Sequence, residues 1–214
     1  AMTADATEGT PLPTPVRRRR PVTAPVTPNL GALPVALVGL PGSGKSTVAR
    51  LLAERLGWRW VDLDDRIEAV TGQSIPELFE RGEDHFRTVE TEVLRGVLAL
   101  PTEVVVATGG GIVTSEANRA TLVTRSTVVW LDVPVGQLLD RLGSDATPRP
   151  LLNDGDPALR LAELAAARSP LYEATAGHRI DAAVDPAQVV DQIAALLQFP
   201  AQPQPTGVGG GNDR

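Results

Sequence analysis

Short apolar runs alternate with longer amphipathic stretches along the middle of this chain, the pattern of βαβ units around a parallel sheet. The runs at 34–38, 104–108 and 127–132 are continuously or almost continuously apolar, as strands covered by helices on both faces should be. Shorter strands are predicted at 59–62 and 179–181. Between them the spacing of apolar positions predicts helices at 45–56, 63–72, 75–81, 83–100, 115–124, 135–143, 157–176 and 186–197. The expectation is an α/β fold, a three-layer αβα sandwich around a five-stranded parallel sheet. Ligands of such sheets sit beyond the carboxyl ends of the strands, and each polar motif described below follows one of these strands.

Composition narrows the picture at both ends of the chain. Residues 1–33 are rich in Pro, Thr and Ala and carry Arg17-Arg18-Arg19-Arg20, which Pro21, Pro25 and Pro28 follow where a secretory signal would need an apolar stretch. This segment reads as a disordered extension with a solvated charge cluster, and residues 200–214 as a second tail, leaving one domain at 34–199. No apolar run approaches the roughly 20 residues of a membrane span. A formal charge of −6 and seven aromatic residues speak against a nucleic-acid partner. The absence of cysteine excludes disulfides and thiolate metal sites and fits a reducing cytoplasm. The two histidines, His85 and His178, have no metal-ligand spacing, and Trp58 and Trp60, flanking the second strand, are expected in the core.

Of twenty basic residues only one is a lysine, and it stands in Gly39-Leu40-Pro41-Gly42-Ser43-Gly44-Lys45-Ser46-Thr47. This G-x-x-x-x-G-K-S pattern, between a strand and a helix, is a P-loop: backbone N–H groups wrap nucleotide phosphates, and lysine reaches them as a point charge that a planar guanidinium would not replace. Gly42 and Gly44 let the backbone curl, and the Ser46 hydroxyl can ligate Mg²⁺. Asp62 and Asp64 close the second strand, where residues i and i+2 share a face, so both carboxylates can point at the phosphates. One can hold Mg²⁺ through water while the other accepts a proton; the alternative is that Asp64 or Asp65 caps the following helix. Gly109-Gly110-Gly111, after the third strand, suits close approach of a ligand to the main chain, or else a flexible turn. Arg87, early on a helix with Glu90 three residues on, has a surface ion pair as its default role, and Arg149 in Thr147-Pro148-Arg149-Pro150 is by default a solvated loop residue. Arg141 ends a helix, and Arg168 precedes Ser169-Pro170-Leu171-Tyr172 within a long helix that proline is expected to kink.

In this order the motifs resemble those of shikimate kinases, a P-loop group of the nucleoside-monophosphate-kinase type, over residues 34 to about 198. The P-loop is common to many kinases. The combination of Asp62-Leu63-Asp64, Phe86-Arg87…Glu90, Gly109-Gly110-Gly111, Thr147-Pro148-Arg149-Pro150-Leu151 and Arg168-Ser169-Pro170-Leu171-Tyr172 is specific. The resemblance implies Mg²⁺-dependent transfer of the ATP γ-phosphoryl to the 3-hydroxyl of shikimate, a step toward chorismate and the aromatic amino acids, by a monomer. It implies that Asp64 takes the hydroxyl proton and that Arg87 and Arg168 clamp the shikimate carboxylate, with Gly109, Gly110 and Gly111 beside the acceptor. Gly42, Ser43, Gly44, Lys45, Ser46 and Thr47 would hold ATP, with Ser46 and, through water, Asp62 on Mg²⁺. Arg149, on a lid at about 143–154, would reach the phosphates, and Arg141 would lie against adenine. One departure stands out: Ala182-Ala183-Val184-Asp185-Pro186 lacks the arginine or other polar residue that many relatives carry there near adenine. A gluconate-type kinase is the alternative, and it is expected to lack the triple glycine and the Arg149-Pro150-Leu151 pattern.

Overall fold

The computed structural model describes residues 33–99, 103–143 and 156–197. The expected lid with Arg149, and both tails, lie outside the described residues. Five strands, β1 (Val35–Val38), β2 (Arg59–Asp62), β3 (Val104–Ala107), β4 (Thr127–Asp132) and β5 (His178–Asp181), form one parallel sheet in the order β2-β3-β1-β4-β5. The register places Ala36 opposite Val106 on one side and Val128 on the other. β1 and β3 are buried at every position, because helices cover both of their faces. α1 (Lys45–Leu56) and α8 (Pro186–Leu196) pack on each other, while α4 (Glu83–Leu98), α5 (Glu116–Arg125) and α7 (Pro157–Thr175) form the opposite layer. α2 (Leu63–Thr71) and α3 (Ile75–Glu80) extend beyond the carboxyl edge against α4, and α6 (Val135–Gly143) packs against α7.

Most elements match the expected ranges to within two residues, with three corrections. β2 passes directly into α2 with no loop, so Asp64 is not on a strand sharing a face with Asp62; it sits in the first turn of the helix. The cap is then neither Asp64 nor Asp65 but Asp62, whose Oδ1 accepts from the Asp64 backbone N–H at 3.0 Å. Trp60 is 39% exposed rather than in the core, because β2 is an edge strand with one side uncovered; Trp58 is half-buried against the core. α7 carries Pro170 inside one long helix, as the expected range of 157–176 has it.

Candidate active site

The sheet order makes β1 the point where the chain turns first to one side and then to the other, and the crevice beyond such a point is where ligands bind. The P-loop leaves β1 there. Gly42 (φ 81°) and Gly44 (φ 88°) take left-handed conformations that a side chain would strain. The loop thereby delivers Lys45 as the first residue of α1, buried to 9% exposure. Its Nζ donates to the Gly39 and Leu40 carbonyl oxygens, each at 2.9 Å, and to Ser43 Oγ at 3.4 Å, so the loop curls around its own ammonium. Ser46 Oγ donates to Asp62 Oδ2 at 2.5 Å, joining α1 to the end of β2.

A cleft of about 810 Å³ opens beside this loop, lined by Lys45, Ser46, Thr47, Asp62, Asp64 and the three glycines 109–111 among others. Asp64 is the group whose ionisation is most altered in it. Burial, then the neighbouring Asp62 carboxylate, push its carboxyl up to about 6, against the opposing pull of Lys45. Across from it stands Arg87 on α4. Its Nη1 donates to Glu90 Oε2 at 2.8 Å and its Nη2 to Glu83 Oε1 at 2.9 Å. The guanidinium carbon lies 5.1 Å from the centroid of the Phe86 ring, which stacks on Phe79.

The expected surface pair of Arg87 and Glu90 is therefore not on the surface. Glu90 is 0% exposed, its Oε1 has no hydrogen-bond partner among the described residues, and burial, outweighing Arg87, raises its carboxyl above the usual range. The i,i+3 spacing looks the same for a solvated pair and a buried one, which is why the sequence pattern placed Glu90 in a surface pair rather than in the cleft. The apolar wall of Ile75, Pro76, Phe79 and Phe86 was likewise unassigned, since nothing local in α3 distinguishes a cleft face from a core face.

Gly110 and Gly111 lie in a turn, but none of Gly109, Gly110 and Gly111 has positive φ, so left-handed backbone is not what the triplet supplies. They serve contact. A β-carbon on Gly109 would lie 3.0 Å from Glu90 Oε1 and 3.2 Å from Asp64 Oδ1, one on Gly110 2.9 Å from Pro41 Cδ, and one on Gly111 2.6 Å from Arg87 Nη1, with Nη2 closer still. Arg168 does not line the cleft. It stands one layer behind, almost fully buried, and its Nη1 donates to the Gly110 carbonyl oxygen at 3.2 Å. At the far end Arg141 and Pro186 line the cleft together, and Arg141 Nη2 donates to the Ala182 carbonyl oxygen at 3.0 Å. In the segment 182–186, where the sequence offers no adenine ligand of the familiar kind, a main-chain oxygen thus fixes Arg141. Among the described residues, Gly42, Gly44, Lys45, Ser46, Thr47, Asp62, Asp64, Arg87, Gly109, Gly110, Gly111 and Arg141 share one cleft. Ser43 is buried beneath it.

The family model described as shikimate kinase matches residues 41–198. The chain belongs to the shikimate kinase family and is an ATP-dependent kinase. The shikimate kinase of Synechococcus sp. (strain RCC307) is 47% identical over 176 residues, covering 79% of this chain and 89% of that one. Among solved structures, the shikimate kinase from Acinetobacter baumannii in complex with shikimate superposes with a TM-score of 0.75 at 40% identity, covering 79% of this chain and 94% of that one. A gluconokinase from Sinorhizobium meliloti 1021 shares the fold at a TM-score of 0.54, but at 19% identity and with 80% and 94% coverage it speaks for the fold alone. The gluconate alternative thus has only a distant likeness behind it, whereas the shikimate kinases match in sequence and in fold. Among the described residues no helix is long and apolar enough to cross a membrane.

Proposed function

We propose that this enzyme transfers the γ-phosphoryl of ATP to the 3-hydroxyl of shikimate, acting as a monomer in the cytoplasm. The observation that carries the reading is the pairing, in one cleft, of a phosphate cradle around Lys45 with a half-buried Asp64 carboxyl whose ionisation is pushed up to about 6, beside an arginine held flat by two glutamates. A base poised near neutral pH suits removal of a hydroxyl proton in step with bond formation. Asp64 accepts that proton as the acceptor oxygen bonds to the γ-phosphorus. The bond from this phosphorus to the β–γ bridging oxygen breaks, and ADP leaves with the electron pair.

Arg87 offers the acceptor carboxylate a planar, two-pronged donor, and Arg168 joins it from behind Gly110. Lys45 and the loop N–H groups neutralise charge on the phosphates, Arg141 and Pro186 flank adenine, and Arg149 reaches the phosphates from residues 143–154. Ser46 Oγ and the Asp62 carboxylate already meet at 2.5 Å beside the loop, and hard oxygen donors of this kind fit Mg²⁺. Ser46 would hold the ion through its hydroxyl, and Asp62 through water. When bound, it supplies charge neutralisation of the β- and γ-phosphates. An assay of ADP release with shikimate, gluconate and nucleoside monophosphates offered in turn tests the reading. Shikimate is expected to be the acceptor with the highest kcat/KM, and a higher value for gluconate or a nucleotide would overturn it.

A further inference from the structure

The segment Arg168-Ser169-Pro170-Leu171-Tyr172 contains more than its arginine, and the site described above leaves its tyrosine without a role. Tyr172 is the one tyrosine in the chain and is fully buried on α7, its ring tilted against Trp130 of β4 with centroids 5.8 Å apart. Its hydroxyl donates to the Gly110 carbonyl oxygen at 2.5 Å, across 62 residues of chain. Arg168 Nη1 donates to that same oxygen at 3.2 Å. Two side chains one turn apart on α7 therefore converge on a single peptide oxygen. Burial raises the phenol far above its usual range, against a smaller opposing effect of Arg168, so the hydroxyl remains a donor at any working pH.

A trans peptide unit is flat, and its C=O and N–H point in opposite directions. No peptide among the described residues is cis, so drawing the Gly110 oxygen toward α7 sends the Gly111 N–H the other way. Tyr172 and Arg168 are not part of the cleft lining, whereas Gly110 and Gly111 are. The Gly111 N–H has no hydrogen-bond acceptor among the described residues. A unit flanked by glycines has little intrinsic resistance to turning over, because no Cβ fixes its plane. Something outside the loop must hold it.

We infer that Tyr172 is a positioning residue: its hydroxyl locks the Gly110–Gly111 peptide plane so that the Gly111 N–H faces the cleft as a donor to an oxygen of the acceptor. Arg168 makes the longer of the two bonds, and the proposed function divides its donors between this oxygen and the acceptor carboxylate. Tyr172 does not line the cleft, so its shorter bond serves the peptide plane alone. The identity of the acceptor rests on the proposed function; the orientation of the peptide does not.

Tyr172→Phe removes the hydroxyl and keeps the ring on Trp130. Losing one buried hydrogen bond of ordinary strength predicts an approximately threefold to tenfold rise in the shikimate KM. The ATP KM should stay within about twofold of wild type on the same reasoning. In ligand-free protein the Gly111 ¹⁵N–¹H peak should move in this variant. Leu171→Ala, which trims packing on the same helix, should lower Tm without separating the two KM values. An unchanged shikimate KM in Tyr172→Phe, equal rises in both KM values, or an unmoved Gly111 peak would each overturn the inference. Should the variant not fold, the wild type still decides. With a single tyrosine, ¹³Cζ-tyrosine labelling gives one signal, which shikimate should shift, because an acceptor on the Gly111 N–H polarises the same amide, and which ADP alone should leave in place. A signal that ignores shikimate overturns the lock. Failure of shikimate to act as acceptor in the wild type would overturn the proposed function, while the ligand-free Gly111 peak would still test the lock.

Discussion

Three consecutive glycines that face three different neighbours should fail in three different ways when alanine replaces each. At Gly111 the new methyl would overlap the Arg87 guanidinium, with Nη1 at 2.6 Å and Cζ at 2.7 Å. The backbone there (φ −95°, ψ 0°) suits alanine, so the whole penalty is steric. The guanidinium must leave its place, and its bond to the buried Glu90 carboxylate goes with it. Breaking a buried pair can cost about 3–5 kcal/mol. Burial, however, already raises the Glu90 carboxyl above its usual range against the pull of Arg87, so losing the arginine makes it easier for this group to take up a proton. The expected loss is therefore closer to the roughly 1.5–3 kcal/mol of one charged hydrogen bond. Felt at the acceptor, that is about a 10- to 100-fold fall in kcat/KM for shikimate with the ATP KM unchanged. At Gly110 the methyl would meet Pro41 Cδ at 2.9 Å, a rigid ring beside the Leu40 carbonyl that holds Lys45, so the ATP KM should rise as well. At Gly109 it would meet Glu90 Oε1 and Asp64 Oδ1 at 3.0 and 3.2 Å, which a small shift accommodates, and kcat should fall more than either KM. Initial-rate kinetics with both substrates varied separates these patterns. The same pattern in all three variants would refute the reasoning and reduce the triplet to a hinge.

Two further predictions concern single charges. Asp64→Asn should abolish turnover yet stabilise the fold at pH 8. The folded carboxyl titrates at about 6 against 3.8 unfolded, so the folded state binds more protons between these values and stability falls as pH rises through them. Above pH 6 the ionised group costs up to about 3 kcal/mol, so thermal melts should place the variant above wild type at pH 8 and level with it near pH 4; a lower Tm at pH 8 would contradict this. By the same titration, wild-type kcat/KM should decline as pH drops below about 6. Lys45→Arg should reduce kcat/KM for ATP by about 100-fold or more, because a flat guanidinium cannot reproduce three converging bonds at 2.9, 2.9 and 3.4 Å. Near-normal turnover would remove the reason given for the lone lysine.

The parts of this molecule that were readable in advance are those where one residue's neighbours in sequence are also its neighbours in space. Strand and helix alternation and the P-loop at the end of β1 are of this kind. Asp64 was misplaced because alternation assumes a loop between strand and helix, and here there is none. Trp60 was misplaced because apolar content does not tell an edge strand from a central one. Glu90 and Tyr172 were missed for a different reason. Their chemistry depends on residues distant in sequence: Gly109 lies 19 residues after Glu90, and Gly110 lies 62 before Tyr172.

That long-range pattern explains why the triple glycine needs the residues around it to be so particular. Glycine gives the loop no side chain with which to hold its own shape, and the entropy it loses on folding is the largest of any residue. The shape must come from partners: Pro41 from the P-loop, Arg87 from α4, Arg168 and Tyr172 from α7. Each of these also belongs to an element that touches the nucleotide side or the acceptor side of the cleft. The glycine loop is therefore where the two halves of the site are mechanically joined, and it lies beside the carboxylate proposed to take the proton. A change in any one partner should be felt in the binding of the substrate that partner faces, and in the other substrate only through Gly110, the one residue of the three that contacts both the P-loop and α7.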